Sequence, residues 1–395
     1  MAILIIFLLV VMAVAGFLTG PAIWRKIAGY ESRPTGQNAL PGLSVVAYVQ
    51  RDEDHLDEYV DTLLSQDYPD FEVILVCDAS AEATAMISGR FENVDNLHLT
   101  FIPPGSHNLS RRKLAQTLGI KRAVKEIVVT TSTSVMPRSD KWLRSLAEPF
   151  ADSEINIVCG YVHPVFNDFT GPAKWYRQMD SILTSAQWMD EAVKGSPYRG
   201  DGYNLAFRRS LFFDVKGYSA SITLMDGDDD IFINEISNGA DGCLVLNHDS
   251  FVDTRWGAVA NRMYVDYKDR YRFTRRYLPK APFLRSALLS WANWTLLLGA
   301  VWACAMIGIA VPAIAAGNWT PEIIPLLSVG CAALLIILIF WLIEIFAYRR
   351  LASRLESVRL FWAVIPFLLW RPIGNFLFFL NHYPSRKSHY TWVRN

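Results

Sequence analysis

The sequence predicts an α/β fold, a mostly parallel sheet covered by helices on both faces, joined to transmembrane α-helices. Strand-like apolar runs alternate with amphipathic segments between Leu43 and Thr131, the pattern of parallel strands linked by crossover helices. Long stretches elsewhere carry almost no charge. The chain is also 52% hydrophobic, with a mean hydropathy of +0.18, high for 395 residues that all face water.

Met1–Leu18 carries no charge and is followed by Arg25-Lys26. No basic residue precedes the apolar run, as a signal peptide requires, so residues 1–24 read as a retained transmembrane anchor with its N-terminus outside. Pro34, Gly36, Pro41 and Gly42 mark a linker over residues 25–42. The globular domain, residues 43–285, opens with a strand at Leu43–Val49 and helical periodicity from Leu56 to Gln66. A strand at Phe71–Cys77 precedes a helix at Ala81–Phe91, and a strand at Leu97–Ile102 precedes a helix at Ser110–Val124. Glu126–Thr131 is the fourth strand. Ligands of such sheets bind beyond the carboxyl ends of the strands, which places Asp78 and Ser132–Ser134 at one rim. Trp142–Leu284 has weaker periodicity, and its motifs fall on loops and helix starts.

Ala287–Thr320 is uncharged and Ile323–Ala347 carries only Glu344, giving two transmembrane helices within residues 286–350. With the N-terminus outside, the positive-inside rule puts Arg25 onward in the cytoplasm and returns Arg349, Arg350 and Arg354 to the same side. Val358–Leu380 is interrupted by Pro366, Arg371 and Pro372 and followed by Arg386-Lys387, so residues 351–395 read as an interfacial or re-entrant segment and tail.

The 38 basic and 38 acidic side chains cancel, which argues against nucleic acid as a partner. The basic stretch Tyr267–Arg276 lies just before a span, where anionic lipid headgroups are its natural partners. Cys77, Cys159, Cys243, Cys304 and Cys331 form no CxxC pair and read as reduced packing residues. The histidines, including His55, His163 and His248, have no metal-ligand spacing.

Several segments, in order, resemble the family 2 glycosyltransferases, inverting nucleotide-sugar enzymes with a GT-A fold, of the membrane-anchored, polysaccharide-synthase-like kind. They are Ser44-Val45-Val46, Leu64–Pro69 with Phe71–Ile74, Asp78-Ala79-Ser80, and Arg112-Lys113-Leu114-Ala115 with Gly119-Ile120. Gly202–Arg209, Asp226–Phe232 and Tyr267–Tyr271 complete the set, the last similar to a worn Gln-x-x-Arg-Trp motif. The resemblance implies a GT-A (Rossmann-like) domain and a UDP- or GDP-linked sugar donor held by Asp78, Lys113, Ser132, Ser134 and Arg270. It implies Gly202 and Asn204 on the acceptor side and Asp228 or Asp229 as the base. It also implies Mg²⁺ or Mn²⁺ on the donor diphosphate, yet Ser132 and Ser134 occupy the register of the family's Asp-x-Asp, and neutral hydroxyls are weak ligands for a hard dication.

Transfer needs a base for the acceptor hydroxyl and positive charge for the departing diphosphate. Three adjacent acids invite mutual pKa elevation, which suits a base, while the same acids before Ile231 and Phe232 also suit a helix N-terminus. Arg270 can grip phosphate oxygens through parallel hydrogen bonds, whereas Lys113 and Arg112 also read as solvated helix residues and Asp78 as a turn residue with Ser80. Trp175, Tyr176, Trp188 and Tyr198 suit either a sugar-stacking wall or packing. The expected function is single sugar transfer to a lipid-linked or glycan acceptor at the inner membrane. The alternative is a silent scaffold or regulatory subunit.

Overall fold

A computed structural model describes residues 14, 20–32, 40–50, 55–103, 110–166, 170–237, 239 and 241–381. Nearly all of the expected anchor, residues 33–39 of the linker and Arg386-Lys387 lie outside the described residues. The chain divides into a globular unit, Tyr30–Pro279, and a helical unit of Lys280–Asn381 with the N-terminal residues through Gly29. The helical unit includes a short helix, α1 (Pro21–Ala28).

In the globular unit β1 (Leu43–Gln50), α2 (Leu56–Leu64), β2 (Phe71–Asp78), α3 (Ala81–Phe91), β3 (Leu97–Phe101), α4 (Arg111–Arg122) and β4 (Ile127–Ser132) alternate as the apolar pattern predicts. The cap side chains explain where two helices start: Ser80 accepts from the Ala83 amide at 3.2 Å and Ser110 from the Lys113 amide at 3.1 Å. There follow β5 (Val135–Pro137), α5 (Trp142–Ala147), β6 (Ile157–Cys159), β7 (Val162–His163), α6 (Gly171–Val193), β8 (Leu205–Arg208) and α7 (Arg209–Asp214). The unit closes with α8 (Asp230–Ile236), β9 (Gly242–Leu244), β10 (Val252–Thr254) and α9 (Ala260–Thr274).

The main sheet has seven strands in the order β3-β2-β1-β4-β8-β6-β9, with β8 antiparallel to both neighbours. A small sheet, β5-β10-β7, stands beside it. Central strands β1, β2 and β4 are buried on both faces, which is why their sequences run apolar without alternation. Val45, Val73, Val129, Leu146 and Tyr59 belong to one continuous core.

On the other face α4 presses its Gly119 against the sheet. A Cβ there would fall inside the Val46 side chain and 3.0 Å from Val76 Cγ2. Gly119→Ala is therefore expected to lower stability by about 1–3 kcal/mol through overpacking, despite alanine's better helix propensity. Urea denaturation checks it, and an unchanged midpoint would contradict this packing.

The helical unit holds three helices long and apolar enough to cross a membrane: α10 (Lys280–Ala315), α11 (Ile323–Arg354) and α12 (Val364–Asn381). Gly330 lets α10 and α11 approach closely, since a Cβ would meet Ile307 Cγ1 at 2.9 Å and the Ala303 carbonyl at 3.1 Å. Asn293 Nδ2 donates to Glu344 Oε1 across the same helix pair at 3.1 Å. The expected interruption over Val358–Leu380 is not seen: α12 is one helix through Pro372. Pro366 falls in its first turn, where an amide has no helical partner to lose. Its 18 residues span about 27 Å, close to a hydrocarbon core of about 30 Å.

Candidate active site

The strand order reverses between β1 and β4, and the register pairs Tyr48 with Ser132 and Gln50 with Asp78. Those parallel strand ends therefore share one rim, the place where open α/β sheets bind ligands. Antiparallel β8 begins at that rim, so the Gly202–Asn204 segment before it arrives there too. A cleft of about 550 Å³ opens at this rim, within the usual range for small-molecule sites. Tyr48 and the α4 start contribute to its wall, with Asp201 and Tyr203, Asp226, Trp256 and the Tyr267–Arg270 turn of α9.

Three consecutive basic residues at the start of α4 serve three different partners. Arg111 grips Asp78 through Nη2 and through Nε at 2.9 Å, and the Tyr48 hydroxyl donates to the same carboxylate at 3.2 Å. Arg112 sets Nε 2.5 Å from Asp228 and stacks on Tyr203, with its Nη2 making no hydrogen bond. Lys113 is fully buried, and its ammonium donates to the Ser221, Leu224 and Asp226 carbonyls at 2.6, 3.0 and 2.8 Å and to the Ser221 hydroxyl at 3.0 Å. An ammonium has three protons, and these acceptors use them all. The geometry thus makes Lys113 a pin for the 221–226 loop, not a donor ligand as the helix motif implied. Burial pulls its pKa down to about 8.

The acidic segment is also more differentiated than its sequence. Asp229 is fully buried, bonded to Arg270 Nη2 at 2.7 Å, to the Tyr271 hydroxyl at 3.2 Å and to the Asp230 amide at 2.8 Å. Burial would raise its pKa, but Arg270 and Arg112 outweigh that and hold the carboxyl below the usual range. Asp230 accepts from the Thr274 hydroxyl and caps its own helix through the Ile231 amide; burial and the Asp229 charge push its pKa up. The expected mutual elevation therefore does not reach Asp229, because the arginines intervene. Neither Asp228 nor Asp229 is among the cleft-lining side chains, whereas Asp226 is. Gly227, at φ +99°, reverses the chain between them. Burial raises the Asp226 pKa. Sequence reasoning passed over Asp226 because an acidic run says nothing about which members face inward; the Gly227 after it was the available signal.

The remaining expected residues divide clearly. Arg270 lines the cleft, with Nε buried and making no hydrogen bond. Tyr267 donates to Asp201 at 3.1 Å, and Tyr271 lies under the guanidinium of Arg199. Gly202 is required where it stands, since a Cβ would lie 2.7 Å from Arg112 Nη2 and 2.9 Å from Asp229 Cβ. Asn204 is fully buried: Nδ2 donates to the Tyr161 and Ser250 carbonyls at 3.0 and 2.8 Å, and Oδ1 accepts from Trp142 Nε1 at 3.0 Å. Its amide is consumed inside the fold, so it has no acceptor-facing group. Trp188 and Tyr198 are buried, and neither they nor Trp175 and Tyr176 line the cleft.

Ser132 is buried and accepts from the Ser134 amide at 3.3 Å, with the two hydroxyl oxygens 3.5 Å apart. Among the described residues no three His, Cys, Asp or Glu side chains gather closely enough to hold a metal ion. The nearest acids of the turn are engaged by arginines. This donor set does not fit a hard dication, which prefers several carboxylate oxygens.

The model of the glycosyl transferase family 2 matches residues 44–229. Among solved structures, the chain is similar to the mannosyltransferase PcManGT from Pyrobaculum calidifontis in complex with GDP-Man and Mn²⁺, at 18% identity and a TM-score of 0.48, over 85% of this chain and 96% of that one. It is also similar to S. aureus TarS in complex with UDP-GlcNAc, at 15% identity and a TM-score of 0.41, over 84% and 92%. No curated protein matches the sequence. With a mostly parallel sheet, a cleft at its switch point and that match over the same region, residues 44–229 are similar to the glycosyl transferase family 2, which supports glycosyltransferase activity.

Proposed function

We propose that this glycosyltransferase is a membrane-bound inverting enzyme that moves a sugar from a UDP- or GDP-linked donor to a lipid-linked or glycan acceptor. Its catalytic domain lies on the cytoplasmic side of the cell inner membrane, as the clusters Arg25-Lys26 and Arg349-Arg350 favour. The observation that carries the reading is the composition of the cleft: the Asp226 carboxylate beside two guanidiniums, Arg112 and Arg270. Guanidinium donors match the oxygens of a diphosphate leaving group and need no deprotonation or ion to do so. Arg112 and Arg270 steady the departing charge, Tyr48 and Arg111 lie toward the nucleoside side with Asp78, and the acidic loop takes the acceptor proton. With hydroxyls at Ser132 and Ser134, the diphosphate is neutralised by side chains.

Thermal-shift and turnover measurements on the purified full-length protein against a panel of UDP- and GDP-sugars test this. One donor is expected to raise Tm and to be turned over, with at most about a twofold loss of rate in excess EDTA. Absence of any shift or turnover, with or without Mn²⁺, would leave the scaffold reading in its place.

A further inference from the structure

We infer that the acceptor is an uncharged amphiphile, a hydroxyl-bearing head such as a sugar or glycerol carried on an apolar chain, and that the cleft rejects lipid phosphates. The inference rests on the glycosyltransfer reading above and narrows it to one acceptor class, from the order of side chains along α9.

Met263, Asp266, Tyr267 and Arg270 recur three and four residues apart on α9 and all line the cleft, so they form one stripe along the helix. From Arg270 to Met263 the stripe runs about 10 Å, at a rise of about 1.5 Å per residue. Its character changes along that length. Arg270 shares its end with Arg112, since both approach Asp229, and there a diphosphate finds guanidiniums. One turn earlier stand Asp266 and Tyr267, the latter bonded to Asp201 at 3.1 Å, with Asp269 beside them. Two turns from Arg270 the lining is Met263, joined by Trp256 from the segment before the helix. The stripe is held in place: on another face of α9, Tyr264 and Lys268 both donate to the buried Asp180 of α6, at 2.5 and 2.8 Å. Trp256 is held too, edge-on to the buried Phe166 ring at 5.6 Å.

Charge decides what the head can be. Asp201, Asp226, Asp266 and Asp269 line the cleft, whereas each guanidinium in its lining already faces a carboxylate: Arg111 with Asp78, Arg112 with Asp228 and Arg270 with Asp229. A donor diphosphate draws on those guanidiniums. A second phosphate, on the acceptor, would meet carboxylates one turn away, and juxtaposed like charge rejects a partner. The cations paired with that turn, Arg262 with Asp266 at 3.6 Å and Arg272 with Asp269 at 3.4 Å, are not among the cleft-lining side chains. Hydroxyls donate to carboxylate oxygens, so a sugar or glycerol head satisfies the same side chains. The apolar chain is read from the rim. Ile222, Met225 and Val259 are large apolar side chains left exposed in the segments that carry Asp226 and Trp256. Exposed apolar groups bordering a cleft mark a surface that something apolar covers, and methionine at two lining positions suits a flexible chain. A free glycan has no group to cover them.

The test uses the full-length protein in phosphatidylcholine nanodiscs, loaded with UDP or GDP. Calorimetry against empty nanodiscs gives the Kd of octyl β-glucoside, 1-O-octylglycerol, octyl phosphate and free glucose, all below micellar concentration. At least one neutral octyl compound is expected to bind about tenfold or more tightly than octyl phosphate and than glucose. Trp256→Ala should weaken that compound by about tenfold, through loss of the ring that its apolar part covers. Asp266→Lys combined with Asp269→Lys should reverse the ranking in favour of octyl phosphate, while Asp266→Asn with Asp269→Asn only narrows the gap. Octyl phosphate bound as tightly as the neutral compounds in the wild type overturns the inference, as do glucose matching octyl β-glucoside, no octyl compound bound above the empty-disc background, or a ranking unmoved by charge reversal. Each of these leaves the glycosyltransfer reading intact. A wild-type protein that binds neither UDP nor GDP overturns both.

Discussion

Arg270→Ala is expected to destabilise the globular unit by about 3–5 kcal/mol, the cost of stranding one partner of a buried ion pair. Asp229 has no exposure, and Arg270 Nη2 at 2.7 Å is its nearest cation; Arg112 Nη2 lies 4.0 Å away. The same guanidinium also donates to the Tyr271 hydroxyl at 3.0 Å and covers the Tyr267 ring, so the truncation removes packing as well as charge. Chemical denaturation at neutral pH reads the loss. Adding Asp229→Asn should recover part of it, because the stranded charge is then gone. The pH dependence carries a sign as well. The Asp229 pKa is depressed in the folded protein, so its contribution is fully present above the unfolded value near 4 and is lost as pH falls through the folded pKa. In Arg270→Ala the opposing burial gains weight, so less of the Asp229 contribution remains to be lost as pH falls. Equal stability of wild type and variant would remove the ion pair from the fold's energetics.

Asn204→Ala is expected to cost about 3–5 kcal/mol, summed over groups left unsatisfied at roughly 1–3 kcal/mol each. It orphans the Trp142 indole N–H and the carbonyls of Tyr161 and Ser250, all within the fold behind β8. Gly160 packs directly against this side chain, whose atoms lie 2.4–2.6 Å from where a Gly160 Cβ would stand, so the truncation also opens a gap there. A fall in Tm with acceptor KM unchanged, measured well below the melting range, is the expected result. A raised acceptor KM at full stability would restore the acceptor-side role that the glycine motif implied.

These two residues show how far the sequence reaches. The alternation from Leu43 to Ser132 was legible because β1, β2 and β4 are buried on both faces and the helices between them on one, so burial writes itself into local periodicity. The small sheet β5-β10-β7 was not legible, because strands of two or three residues are too short to carry a period. The α12 helix was hidden by its prolines, of which Pro366 costs little because it falls in the first turn, while Pro372 lies within the helix.

At the cleft the sequence indicated chemistry by type and order. Asp78, Arg270 and the acidic run were all found near the rim, yet which charge faces a ligand and which is consumed by a neighbour depends on partners distant in sequence: Arg270 for Asp229, Ser221 for Lys113, Trp142 for Asn204. By itself the sequence determined the α/β class, the strands that place the rim and the apolar helices, because those follow from hydrophobic pattern along the chain. Tertiary structure alone decided that Lys113 and Asn204 are struts and that arginines lie against Asp228 and Asp229. The physical reason is that a polar group's availability is fixed by what desolvates and pairs it, and those partners are set by the fold.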